Sequence, residues 1–104
     1  MSDIKRIYIS GGITNVPDYF EKFEAAELWL ADHGYAPINP ARINGEIPKE
    51  ADFAHMEYMA ICRELLRHVD GIYMLKDWQY SVGAKEELCQ VLERYPEYEI
   101  MMQE

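Results

Sequence analysis

Four consecutive apolar residues, Ile72-Tyr73-Met74-Leu75, stand between Asp70-Gly71 and Lys76-Asp77. The run is too short for a helix and does not alternate with polar residues, so both of its faces must be covered. A strand buried on both faces belongs to a parallel sheet with helices on either side. A second segment of this kind opens the chain: residues 4–10, IKRIYIS, are rich in β-branched and aromatic side chains and stop at Gly11-Gly12.

The stretches between these strands carry helical spacing. Phe20, Phe23, Ala26, Trp29 and Leu30 form a stripe between Pro17 and Gly34, which predicts a helix over about 17–33 with the glycine as its C-terminal cap. Tyr35 to Ile38 is a short second strand that runs into Asn39-Pro40. The segment ARINGEIPKE that follows has little periodicity and is expected to be an irregular loop. Met56, Met59, Cys62, Leu65, Leu66 and Val69 predict a helix from about Ala51 to His68. Lys76 to Ser81 is a loop, Ala84, Leu88, Val91, Leu92 and Tyr95 make a last helix before Pro96, and Tyr98 to Met102 add a strand. Strands alternating with helices imply right-handed parallel crossovers. The expected fold is α/β, a single domain over 1–104: a three-layer α-β-α sandwich on a mainly parallel, doubly wound (flavodoxin-like) sheet of four to five strands.

Charge and composition exclude several functions. Ten Lys and Arg against nineteen Asp and Glu give a net charge of -9, which repels nucleic acid and anionic lipid. No apolar run approaches the roughly 20 residues of a membrane span, and the chain begins without a secretory pattern, so a cytoplasmic protein is expected. Cys62 and Cys89 lie in no metal-binding spacing, and His33, His55 and His68 have no partners at ligand spacing, so neither a metal nor another cofactor is expected. The methionines fit core filling.

Ligands of such sheets bind beyond the carboxyl ends of the strands. Three segments fall there: Ser10 to Asn15, Asn39 to Arg42, and Lys76 to Ser81. Gly11-Gly12, followed by Ile13-Thr14-Asn15 and a helix start, could present backbone N–H groups to an anion or a sugar; a plain tight turn accounts for the glycines equally well. It is neither a dinucleotide fingerprint nor a P-loop. Ser81 stands at an N-cap position and Gly83 permits close approach to the first free N–H groups of the last helix. Two glutamates follow, and helix geometry separates them. With Ala84 at the origin and about 100° per residue, the apolar positions centre near about 25°, Glu86 lies nearly opposite, and Glu87 falls about 85° from that centre. Glu86 should face water. Glu87 should flank the buried face beside the strand ends, although first-turn acids favoured by the helix dipole would give the same composition.

These segments together resemble the nucleoside 2-deoxyribosyltransferase-like superfamily, which includes deoxynucleoside 5'-monophosphate N-glycosidases and small phage and bacterial relatives. The matching motifs are Tyr8-Ile9-Ser10-Gly11-Gly12 at the end of strand one, Asn39-Pro40 after strand two, and Ser81-Val82-Gly83-Ala84-Lys85-Glu86-Glu87. Asp70 before the apolar strand and Trp78 after it match as well, so the similarity spans roughly residues 7–92. The resemblance implies cleavage or exchange of the N-glycosidic bond of a (deoxy)nucleoside or nucleoside 5'-monophosphate, with Glu87 as nucleophile and Tyr8 orienting it. It further implies that Ser10, Gly11, Gly12, Thr14, Asn39, Ser81 and Gly83 contact the substrate, with Trp78 or Phe20 as candidates to flank the base, although aromatic residues at such positions more often serve packing.

Two positions depart from the family pattern. Cys62 stands where the family has a helix aspartate, with Asp77 as the candidate substitute. Thr14 stands where the monophosphate glycosidases carry an arginine, with Arg42 as the candidate to reach the same pocket. The departures keep open an alternative, a nucleotide-binding or sequestering module without efficient catalysis; a structural or interaction subunit is the third possibility. The expected partners are a small-molecule nucleoside or nucleotide and further copies of the chain, as a homodimer or higher homo-oligomer, with no nucleic acid and no membrane.

Overall fold

The apolar run folds as the strand its pattern demands. A computed structural model describes residues 4–13 and 16–104. In it Arg6–Ser10 (β1), Ala36–Ile38 (β2), Gly71–Met74 (β3) and Glu99–Met102 (β4) form one sheet in the order β2-β1-β3-β4, with every pair parallel. All of β3 is buried. Leu75 lies just past the strand, equally buried, and donates its N–H to the Ser10 carbonyl. At the sheet edge β4 alternates between half-buried and exposed residues, as a strand covered on one face should.

The two-residue period of the strands sorts the core into two halves. Ile7, Ile9, Tyr73 and Leu75 face one side, where Phe23, Ala26 and Leu30 of helix Tyr19–Asp32 (α1) and Ala41 pack on them. Tyr8, Ile72 and Met74 face the other, against Tyr58, Met59, Cys62 and Leu66 of helix His55–Leu66 (α3) and Ala84 and Val91 of helix Val82–Arg94 (α4). This is the expected three-layer α-β-α sandwich. Gly34, at φ +87, ends α1 in a backbone conformation that an L side chain rarely adopts.

The element boundaries differ from expectation in four places. The supposed loop after β2 contains a helix, Pro40–Glu46 (α2), which exists because Pro40 occupies its first turn and the Asn39 side chain accepts the Ala41 N–H at 3.0 Å. Helix α1 begins at Tyr19, after a turn through Pro17 and Asp18, and α3 begins at His55, where the Glu57 carboxylate accepts the Ala54 N–H. Within the loop after β3, Trp78–Tyr80 form a 3₁₀ turn. The apolar stripes are also narrower than the sequence implied: Phe20, Trp29 and Met56 are exposed.

The chain leaves β1 toward β2 and leaves β3 toward β4, in opposite directions, so a crevice opens between the carboxyl ends of these two neighbours.

Candidate active site

A cavity of about 480 Å³ fills that crevice. Its floor comes from the strand ends, where Gly11 turns the chain so closely over Leu75 that an added Cβ would fall 2.5 Å from Leu75 Cδ1. Glycine is therefore required there by packing. Gly11 and Gly12 both line the cavity, together with Tyr8 from β1, Asp77 from the loop after β3, and Ser81, Gly83 and Glu87 from the start of α4.

Glu87 is the centre of the arrangement. It lies one turn into α4 and is 6% exposed, while its neighbour Glu86 is exposed, as the helical geometry of the two positions requires. Tyr8 and Ser10 are two residues apart on β1, so both point to the α4 side of the sheet. The Tyr8 hydroxyl donates to Glu87 Oε2 at 2.5 Å and the Ser10 hydroxyl to Oε1 at 2.6 Å. Burial pushes the Glu87 carboxyl up to about 7, against the two hydrogen bonds that favour its ionised form. Burial, then the adjacent Glu87 charge, raises the Tyr8 phenol far above its ordinary value, so Tyr8 stays a proton donor. The result is a single carboxylate held in fixed orientation at the bottom of a largely apolar cavity.

The wall opposite is built by α3. Cys62 and Tyr58, four residues apart and so on one helix face, both reach the cavity, and burial raises the thiol above its ordinary range. The Tyr58 hydroxyl donates to the Pro40 carbonyl at 2.8 Å, which ties this wall to α2. Asp77 stands in the loop after β3. Its Oδ2 receives Lys22 Nζ of α1 at 3.1 Å, and its enclosed Oδ1 has no donor among the described residues. Ser81 caps α4 by accepting the Ala84 N–H at 3.1 Å.

Four of the residues expected to contact the substrate lie outside the cavity lining. Ser10 is nearly inaccessible, and its hydroxyl is engaged by Glu87. Asn39 caps α2 and donates to Glu27 Oε1 at 2.8 Å, outside the cavity lining. Trp78 packs against the core formed by α3 and α4, and Phe20 lies on the surface with the Arg42 guanidinium 6.0 Å from its ring centre; neither lines the cavity. Arg42 does not reach the cavity either, because Glu27 holds it through Nε at 2.7 Å and Nη2 at 3.1 Å. Thr14 lies outside the described residues. The aromatic residues that do line the cavity beside Tyr8 are Phe23, Tyr58 and Tyr80, the last 89% exposed at its mouth. Tyr80 was open to inference, since it immediately precedes the Ser81 cap; Tyr58 was marked only by sharing a helix face with Cys62.

Among the described residues no cluster of His, Cys, Asp or Glu could hold a metal ion, and no helix is long and apolar enough to cross a membrane. No curated protein and no solved structure matches the chain. A family model described as a domain of unknown function, DUF4406, matches residues 5–95, a span that holds β1, the glycine turn, the loop after β3 and the whole of α4, and the chain belongs to that family.

Proposed function

We propose that this protein cleaves or exchanges the N-glycosidic bond of a (deoxy)nucleoside or nucleoside 5'-monophosphate through Glu87, as the resemblance to the nucleoside 2-deoxyribosyltransferase-like superfamily implies. The observation that carries the proposal is the buried Glu87 carboxylate gripped by Tyr8 and Ser10 at the cavity floor. A carboxylate with both oxygens engaged by hydroxyl donors keeps lone pairs free and cannot rotate, which is what attack on a sugar carbon needs. Glu87 forms a bond to the anomeric carbon as the bond to the base nitrogen breaks, and that electron pair leaves with the base, which takes up a proton. Water, or a second base, then attacks the same carbon and releases Glu87, so configuration is retained overall. Asp77, ion-paired to Lys22, is the second carboxylate at the cavity and is available to accept from the substrate; the leaving base takes its proton from solvent, and Tyr80 stands at the mouth beside it.

Incubation with a panel of deoxynucleosides and their 5'-monophosphates, followed by chromatography for free base and by intact mass after acid quench for a glycosyl adduct, tests the reaction. Base release with no loss in Glu87→Gln would refute it. A second reading, a binding module without efficient turnover, is favoured by Cys62, a thiol with a raised pKa that supplies no second carboxylate on the α3 wall. A ligand-induced rise in melting temperature without base release would select it. A cytoplasmic location accords with the two free cysteines, one buried and one exposed. The homodimer is tested by sedimentation, and a monomer alone at micromolar concentration would remove it.

A further inference from the structure

The charged side chains that line the cavity, among the described residues, are Asp77 and Glu87. Both are acids. Thr14 and Asn15, outside the described residues, bring no charge in any conformation. The cation paired with a lining acid is Lys22 of α1, and it serves two acids at once: Asp77 Oδ2 at 3.1 Å and Asp18 Oδ1 at 3.9 Å. The group Asp18, Lys22 and Asp77 thus carries one net negative charge. Arg42 is held by Glu27 and Glu24 outside the lining. The N-terminus of α4 attracts anions, and it amounts to about half a positive charge. Ser81 has already taken one of its N–H groups. Against that half charge stand the net charge of the Lys22 group and the full charge of Glu87 in the ionised form that a nucleophile requires.

A phosphate dianion is ordinarily held by charge-assisted donors, above all by arginine forks, and none faces this cavity among the described residues. A sugar hydroxyl needs only neutral acceptors or a carboxylate, and the Asp77 carboxylate that lines the cavity is such an acceptor. We infer that the site takes unphosphorylated nucleosides and discriminates against the corresponding 5'-monophosphates. The inference rests on the proposed function and narrows its substrate class.

The test compares each deoxynucleoside with its own 5'-monophosphate, by titration calorimetry and by kcat/KM for base release, at low ionic strength. The nucleoside should be preferred by about tenfold or more, and added salt should narrow the gap because the repulsion is screened. Asp77→Asn removes one acid and frees Lys22, so it should narrow the preference in binding. Lys22→Gln, at an exposed position that leaves the core intact, should widen it. Equal or better use of the monophosphate would overturn this inference while leaving the proposed reaction standing. A preference that neither variant moves would overturn the electrostatic account of it. If no nucleoside or nucleotide releases base or shifts melting, the proposed function fails and this inference falls with it.

Discussion

Glu87→Gln should do two opposite things: end catalysis and stabilise the protein at alkaline pH. The side chain keeps its shape, its carbonyl can still accept from Tyr8, and its amide can donate to the Ser10 hydroxyl, so the packing of α4 on β1 is retained. What disappears is a carboxyl that is costly to ionise. Burial lifts it from 4.5 to about 7, and each pH unit of that shift is worth about 1.4 kcal/mol, so ionised Glu87 costs the fold about 3 kcal/mol. Between 4.5 and about 7 the folded chain binds more protons at this position than the unfolded chain does. The contribution of Glu87 is therefore fully present below about 4.5, is lost as pH rises through about 7, and is gone above that. The difference in stability between variant and wild type should accordingly grow by about 3 kcal/mol from pH of about 4.5 to about 8, which for a domain of this size is roughly 14 °C in Tm. Urea and thermal unfolding of both proteins across that range measure it, and base release measured in parallel should be lost throughout. A difference that does not change with pH would mean that Glu87 ionises as freely as a surface acid, and the description of the site as a desolvated carboxylate would be wrong.

Three further outcomes follow from the same geometry. Glu87 must be ionised to attack, so base release should rise with pH through about 7, and Tyr8→Phe, which removes a donor to the ionised form, should move that limb to higher pH as well as slow the reaction; a limb that stays in place would dissociate Tyr8 from the carboxylate. Glu86→Ala should change stability by under about 0.5 kcal/mol and leave turnover unaltered, whereas Glu87→Ala should abolish it; equal loss in both would assign these residues to the helix dipole. Leu75→Asp should prevent folding, since an unpaired carboxylate in the closed layer beneath Gly11 costs several kcal/mol of a total of about 5–15; a cooperative unfolding transition in the soluble variant would contradict the sheet assignment.

How far the sequence revealed this site depends on whether a residue's direction is set by a regular period. Glu87 was legible because α4 is a regular helix, and counting 100° steps separates it from Glu86. The partnership of Tyr8 and Ser10 was only half legible: their spacing on β1 puts both on one face, yet Ser10 was assigned to the substrate because nothing local shows that a carboxylate from a residue 77 positions later reaches it first. The failures share a cause. Trp78 and Tyr80 sit in a 3₁₀ turn of about three residues, where two positions differ by about 240°, so one side chain enters the core as the other reaches the cavity mouth. Which of the two turns inward is decided by the surface that α3 and α4 offer, and no local pattern encodes it. Helix α2 was hidden for a related reason. Its seven residues include Gly45 and Asn44, a poor helical composition, and beyond the local Asn39 cap it is held by the buried Ala41 and the Tyr58 bond to Pro40, contacts that exist only once the sheet has formed. The same tertiary dependence explains the charge of the cavity. Lys22 and Arg42 are drawn to Asp77 and Glu27 across the fold, and both are spent before a ligand arrives.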